Sequence, residues 1–181
     1  MQQPIVISGA GILGCYISCA LSLQGIDSIV LEKKDDEVED SVRTITLNPF
    51  SKNLLDKIGI ENDYSMINKM EVKDFDGTGK IVFKSSEIGM DHLAYVSDFA
   101  TLLMAVRKKA SEKILYKEEI IDIDNKGDLN EVTLSSGKVI KTNLIISSDG
   151  KNSKLANKIP KSDKDYFQTA LTFLASAEKD M

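Results

Sequence analysis

Short apolar runs alternate with amphipathic stretches along the first third of the chain. Pro4–Ser8 (Pro-Ile-Val-Ile-Ser) is β-branched and apolar at consecutive positions, the pattern of a strand covered on both faces in a parallel sheet. Glycines follow at 9, 11 and 14, and the spacing predicts an apolar helix from about Ile12 to Gln24, stopped by Gly25 at C′. A second buried-type strand, Ser28–Glu32, completes a βαβ unit, whose crossover is right-handed.

Beyond a charged stretch, Lys33 to Asp40, Asn48-Pro49 reads as an N-cap with proline at N1, opening a helix to Ile58 that closes at Gly59. Residues 60–92 alternate weakly, with strands expected near 70–75 and 80–85 around an Asp76-Gly77-Thr78-Gly79 turn. Asp98 is placed to cap a helix from Phe99 to about Lys113. A β-meander is then expected, with strands near 114–124, 129–135 and 138–141 separated by turns at Asn125–Asp128 and Ser136-Gly137. Asn143–Ser147 is again a buried-type strand, ending in Ser148-Asp149-Gly150. A short helix before Pro160 and the start of a strand within 166–177 complete the pattern. This is an α/β chain with a parallel sheet and an inserted antiparallel meander.

Composition narrows the function classes. The chain has 181 residues, 42% hydrophobic and 28% charged, enough to bury about 70% of its unfolded surface in a true core. With 23 basic against 28 acidic residues the net charge is −5, which argues against a nucleic-acid partner. Only Arg43 and Arg107 are arginines, so fork-shaped anion clamps are scarce and each one invites inspection. One histidine, His92, and two cysteines, Cys15 and Cys19, cannot assemble a four-ligand Cys/His metal site. The cysteines, four apart on one helix face, read as small buried hydrophobes in a reducing compartment. Met-Gln-Gln-Pro is no signal peptide, and no apolar run approaches the ~20 residues of a membrane span. A cytoplasmic protein is expected, with peripheral contact to the inner membrane or to a biosynthetic complex left open.

The candidate chemistry lies in Gly9-Ala10-Gly11-Ile12-Leu13-Gly14, which follows a strand and opens a helix. The first glycine serves a tight turn, the second close approach of backbone to a diphosphate, and the third close packing of helix on strand. Helix N–H groups and the positive end of the dipole then receive the phosphates. Glu32 ends the next strand, eighteen residues after Gly14, with Lys33 beside it. A carboxylate there accepts the ribose hydroxyls of an adenosine and repels a 2′-phosphate, which fits FAD or NAD and not NADP. The plain alternatives are a tight turn for the glycines and a solvated strand-end charge for Glu32. No residue stands out as a catalytic acid, base or nucleophile, and His92, in a loop before a helix, reads as structural or exposed.

A meander followed by an apolar strand ending in Asp-Gly, together with that fingerprint, resembles the aromatic-ring hydroxylase group of flavoprotein monooxygenases. The later motif of that group is an apolar strand, Gly-Ala-Asp-Gly, two residues and Ser. Leu144-Ile-Ile-Ser-Ser-Asp149-Gly150-Lys-Asn-Ser153 matches at Asp149, Gly150 and Ser153. It departs at Ser147 and Ser148, and at Ala156, where arginine is common. Arg43-Thr-Ile-Thr-Leu47, the Leu-Asp-Lys-Ile-Gly59-Ile60 helix end and Tyr166-Phe-Gln168-Thr-Ala170 resemble the subgroup that hydroxylates ubiquinone precursors.

The resemblance implies a Rossmann-like FAD-binding domain, NAD(P)H as reductant and a polyprenylated phenol as substrate. It implies that Arg43 contacts the cofactor's phosphate or ribityl side, and that Asp149-Gly150 helps hold FAD and receive NAD(P)H. A surface cation and a simple turn are the plain alternatives for these. The candidate cofactor-binding set is Gly9, Ala10, Gly11, Ile12, Leu13, Gly14, Glu32, Lys33, Arg43, Asp149 and Gly150. The implied organisation is FAD-binding over 1–70, the first substrate-domain strands over 71–93, FAD-binding again over 94–160, and the start of a substrate domain over 161–181. Such enzymes are about twice this length. The chain is therefore expected to be a fragment or a truncated product that by itself binds FAD weakly and gives no coupled hydroxylation. The other readings are a different FAD- or NAD-dependent oxidoreductase and a non-catalytic dinucleotide-binding module.

Overall fold

The computed structural model describes residues 3–38, 42–74, 76–150, 153, 155 and 166–169. Strand β1 (Ile5–Ser8) runs into helix α1 (Ile12–Leu23), and β2 (Ser28–Glu32) returns parallel to β1 with Ile5 opposite Ser28 and Ser8 opposite Leu31. Val6, Ile7, Val30 and Leu31 are at most 1% exposed, as consecutive apolar residues require of a strand packed on both sides.

Strand β3 (Thr44–Leu47) precedes α2 (Pro49–Lys57), β4 (Ser65–Ile67), β5 (Lys69–Lys73), β6 (Lys80–Lys84), β7 (Ala94–Asp98) and α3 (Phe99–Lys109). Asn48 Oδ1 accepts a hydrogen bond from Ser51 N at 2.7 Å and Pro49 occupies the first turn of α2, so the N-cap reading holds. Asn48→Ala is expected to cost about 1 kcal/mol and to lower the unfolding midpoint by roughly 2–4 °C in a scanning melt. Asp98 likewise caps α3 by accepting from Thr101 N at 2.7 Å.

After α3 come β8 (Ile114–Tyr116), β9 (Ile120–Asn125), β10 (Asn130–Leu134), β11 (Val139–Thr142) and β12 (Ile145–Ser147). The central sheet has the order β12-β1-β2-β8, every pairing parallel, and β9-β10-β11 form the antiparallel meander. Helices α1 and α3 pack together on one face of the central sheet through a core holding Ile7, Cys15, Leu102 and Val106. A second core, with Val6, Leu31, Val132 and Leu134, joins the sheet to the meander. The expected α/β class and the inserted meander are both present.

Several sequence expectations change in detail. The strand expected over 114–124 is two strands. Ile114–Tyr116 continues the parallel sheet beside β2, and the meander begins only at Ile120. The break falls at Lys117, whose φ of 58° turns the chain while Lys117 N and Glu118 N donate to Lys34 O and Glu32 O. Helix α3 stops at Lys109 instead of about Lys113, and 111–113 form one 3-10 turn. Strands β3 and β7, not singled out by the pattern, pair with β4 in a sheet of order β3-β7-β4. Residues 166–169 form no strand. The helix expected before Pro160 and most of the strand expected within 166–177 lie outside the described residues.

Candidate functional site

The turn after β1 is fixed from three sides. Gly9 has φ +101°, and its N–H donates to Leu31 O at 2.7 Å. A Cβ at Gly9 would meet Asp149 Cα and Ser148 O at 2.8 Å, and a Cβ at Gly14 would lie 2.0 Å from Gly9 O. These two glycines are required by the fold itself. Gly11 is different: its φ of −74° suits any residue, and a Cβ there would meet nothing within 4 Å. The space that its missing side chain leaves faces no protein atom.

Helix α1 begins beside that space, with Gly11 as an N-cap that offers no side-chain acceptor and with no acid in the first turn. Its first N–H groups therefore lack a side-chain partner, the usual state of an anion-binding helix end. Glu32 lies across the turn. Its Oε2 accepts from Ala10 N and its Oε1 from Lys34 N, both at 3.0 Å. Together Gly9, Gly11, Glu32, Lys33, Asp149 and Gly150 line a groove of about 300 Å³. A wider cleft of about 870 Å³ lies at the C-terminal ends of α1 and α3, lined among others by Cys19, Ile58 and Lys109; it holds none of the fingerprint residues.

The Asp-Gly segment reaches the groove because β12 pairs parallel to β1, Ser8 opposite Ser147. Two of the three departures from the resembled motif, Ser147 and Ser148, have structural roles, and the third, Ala156, lies outside the described residues. Ser148 Oγ reaches Ser8 O at 2.8 Å and Gly9 O at 3.0 Å, tying the end of β12 to the glycine turn. Ser147 Oγ donates to Asp149 Oδ1 at 2.7 Å and lies 2.8 Å from Ser153 Oγ, which fixes the direction of the Asp149 carboxylate. Hydroxyls at these two positions replace nothing that the turn needs and add restraints to it.

Arg43 is not brought to the groove lining. It is exposed at the entry to β3, its guanidinium 4.1 Å from the centroid of the Phe99 ring, and its carbonyl accepts from Phe99 N. His92 is structural: its Nδ1 lies 2.6 Å from Asn68 Oδ1, and its ring meets Tyr95 edge-on. Cys15 and Cys19 are free and buried, and burial pushes the Cys15 thiol up to about 12, against the opposing influence of Arg107. Cys15 is therefore a protonated core residue at neutral pH.

Three residues escaped the sequence reading. Glu118 and Glu119 line the groove from the loop after β8, where the Lys117 turn delivers them. Hydrogen bonds from Ser136 and Ser135 hold the Glu118 carboxyl below its usual range, so it is ionised. With Glu32 and Asp149 they give the groove four carboxylates against Lys33, a field that accepts hydroxyl donors and repels an additional phosphate. Arg107 is the third, and its only signal in the sequence was the scarcity of arginine. Its Nε donates to Ala10 O at 2.9 Å and its Nη2 lies 3.6 Å from Glu32 Oε2. Among the described residues no group of three or more His, Cys, Asp or Glu could hold a metal, and no helix is long and apolar enough to cross a membrane.

The residues fit the dinucleotide that the resemblance implies: open space at Gly11, an uncapped helix start and a carboxylate at the far side of the turn. Residues 2–176 match the family described as FAD binding domain. The chain is 26% identical over 197 residues to the ubiquinone biosynthesis monooxygenase COQ6, mitochondrial, of Danio rerio, covering 92% of this chain and 40% of that protein. It is 26% identical over 170 residues to the 3-demethoxyubiquinol 3-hydroxylase of Escherichia coli (strain K12), covering 85% of this chain and 43% of that protein. The fold is similar to that of a mutant PqsL from P. aeruginosa, with a TM-score of 0.76 at 20% identity over 92% of this chain and 48% of that one. The chain thus spans less than half the length of these relatives.

Proposed function

The chain belongs to the FAD binding domain family, and from that premise we propose that it is the FAD-binding portion of an NAD(P)H-dependent monooxygenase that hydroxylates a polyprenylated phenol in ubiquinone biosynthesis. The observation that carries the cofactor reading is Gly11, a glycine that neither backbone conformation nor packing demands, at the uncapped start of α1. The substrate reading is supported by the names of the two relatives and by the sequence resemblance at Arg43–Leu47.

In this reading the backbone N–H groups of Gly11, Ile12, Leu13 and Gly14 hold the diphosphate, and Glu32 takes the adenosine ribose. Lys33, at the groove edge, would lie near the same end, and Ala10 shapes the turn. Asp149-Gly150 would close the groove towards the flavin end and Arg43 would reach the phosphate or ribityl side. The flavin, when bound, supplies the redox chemistry. The protein's part is to bind it, orient it and keep water from the ring.

In this reading the first substrate-domain strands span 71–93, which takes in most of the β5–β6 hairpin. Its register sets Met70 opposite Phe83 and Val72 opposite Ile81 on one face, and all four are between 40% and 57% exposed. A two-stranded ribbon with an apolar face is marginal without further cover. A cytoplasmic protein with peripheral contact at the inner membrane would suit a polyprenylated substrate.

Glu32 is the residue through which to test the cofactor reading. Glu32→Ala is a poor probe, because it would remove both the counter-charge and the side-chain oxygens that face the buried Arg107 guanidinium, whereas Glu32→Gln loses the charge but keeps an acceptor oxygen there. Glu32→Gln keeps the shape, but an amide has one oxygen and cannot accept from both Ala10 N and Lys34 N. FAD affinity is expected to fall about tenfold or more, as charge-assisted bonds are lost. A fluorescence titration showing unchanged affinity would leave Glu32 a structural partner of Ala10 and Arg107 with no part in holding the ribose. The activity reading is tested by expressing the complete gene in a strain lacking a ubiquinone-precursor hydroxylase. Restored hydroxylated quinone supports it, and accumulation of the unhydroxylated precursor refutes it.

A further inference from the structure

Glu32 does not stand alone at the end of β2. Ala10 N donates to Glu32 Oε2 at 3.0 Å, Arg107 Nε donates to Ala10 O at 2.9 Å, and Arg107 Nη2 lies 3.6 Å from the same Glu32 Oε2. The three groups close a ring, so that both polar atoms of the Ala10 peptide backbone are held and the carboxylate has a guanidinium behind it. The side chains of Arg107 and Glu32 are only 11% and 13% exposed. Tyr116, which stands opposite Glu32 in the β2–β8 register, carries its ring 5.7 Å from the Arg107 guanidinium carbon. Arg107 Nη1 is buried with no hydrogen-bond partner. Glu32 is the carboxylate that compensates this buried cation, and the pairing costs each partner freedom to turn elsewhere.

An arginine buried this way contributes little net stability compared with an apolar residue of the same size, because desolvation offsets the attraction. What it does achieve is geometry. Its fork joins the last turns of α3 to the second residue of the glycine turn and to the ribose acid, two groups that must be set relative to one another to grip an adenosine diphosphate. A lysine has one nitrogen and cannot serve Ala10 O and Glu32 in the same way.

We propose that Arg107 is the positioning residue of the nucleotide site: it fixes the Glu32 carboxylate and the Ala10 peptide in the arrangement that recognises the adenosine ribose. The proposal rests on the reading of the groove as the site for the adenosine end of FAD. It adds a residue on α3, ninety-seven positions from Ala10, that stands behind the groove and not in its lining.

The test uses ADP and 2′-deoxy-ADP as probes, titrated calorimetrically against the chain and its variants, with a thermal melt of each. The intact chain is expected to prefer ADP by about tenfold, the worth of one charge-assisted hydrogen bond to the 2′-hydroxyl. In Arg107→Met, with Glu32 still present, that preference is expected to shrink to within about twofold. In Arg107→Lys, which guards against a methionine variant that fails to fold, an intermediate preference is expected. A full preference retained in either folded variant, whatever its melting point, would overturn the proposal and leave Arg107 a packing residue. Absence of any preference in the unmodified chain would instead overturn the ribose role of Glu32, and the proposal with it. The two failures are thus read from different proteins.

Discussion

Gly11→Asp is expected to abolish FAD binding in a chain that stays folded. The backbone at Gly11 has φ −74° and ψ 178°, extended values open to every residue, and a Cβ meets no protein atom within 4 Å. An aspartate at the N-cap of α1 is itself a favoured residue, since its carboxylate can accept from the helix N–H groups. It would thus occupy, with its own negative charge, the donors that a diphosphate needs. Affinity should fall by about a hundredfold or more, while the unfolding midpoint stays within about 2 °C. FAD fluorescence quenching reads the first quantity and a thermal melt the second. Unchanged affinity would remove the diphosphate from this turn.

The opposite pattern is expected three residues later. In Gly14→Ala the added methyl would lie 2.0 Å from Gly9 O and 2.6 Å from Ser148 Oγ. Alanine is the better helix former by about 1 kcal/mol, but that gain is local. The clash is with backbone, so no rotamer relieves it, and α1 must move away from β1 and from the end of β12. Overpacking of this kind costs about 1–3 kcal/mol, and more where the neighbour cannot yield. A net loss of about 2–4 kcal/mol, or roughly 5–15 °C in melting midpoint, is expected in the chain without ligand. A midpoint within 2 °C of the parent would show that the helix can shift freely, and would undo the close-packing role of the third glycine. The pair of variants separates what the fold requires of the fingerprint from what the ligand requires.

The local rules carried far where one residue type answers one backbone demand. Asn48-Pro49 and Asp98 start helices as caps because their side chains bond N–H groups within the same turn. Gly25 and Gly59 follow helix ends at φ of 71° and 73°, where other residues are strained. Ser28–Glu32 has the bounds expected of it, since an apolar Ile-Val-Leu run between polar residues admits few alternatives. The same rules failed at Lys117. A lysine at positive φ carries no signal, and the apolar residues on either side read as one continuous strand. Strands β3 and β7 were missed because such short segments gain their order from each other, forty-eight and more positions apart in the chain, as in the pairing of Leu47 with Tyr95 and Thr44 with Asp98.

At the site, the glycine turn, the acid at the end of β2 and the Asp-Gly segment were legible in the sequence, because each lies within a few residues of a strand end. The spacing of the glycines and the acid pointed to a nucleotide fingerprint, and the Asp-Gly segment joined it through the family resemblance. What surrounds these residues depended on tertiary packing. The parallel pairing of β12 with β1 carries Ser147, Ser148 and Asp149 to the turn from a distance of some hundred and forty residues. The Lys117 turn brings Glu118 and Glu119 to the groove, and the packing of α3 on α1 sets Arg107 behind Glu32. Arg43, the stronger of the two arginines as a sequence signal, stacks instead on Phe99. A cation's partner is chosen by which elements pack together, and that choice is made by the burial of the whole core, not by the residues adjacent to it in the chain.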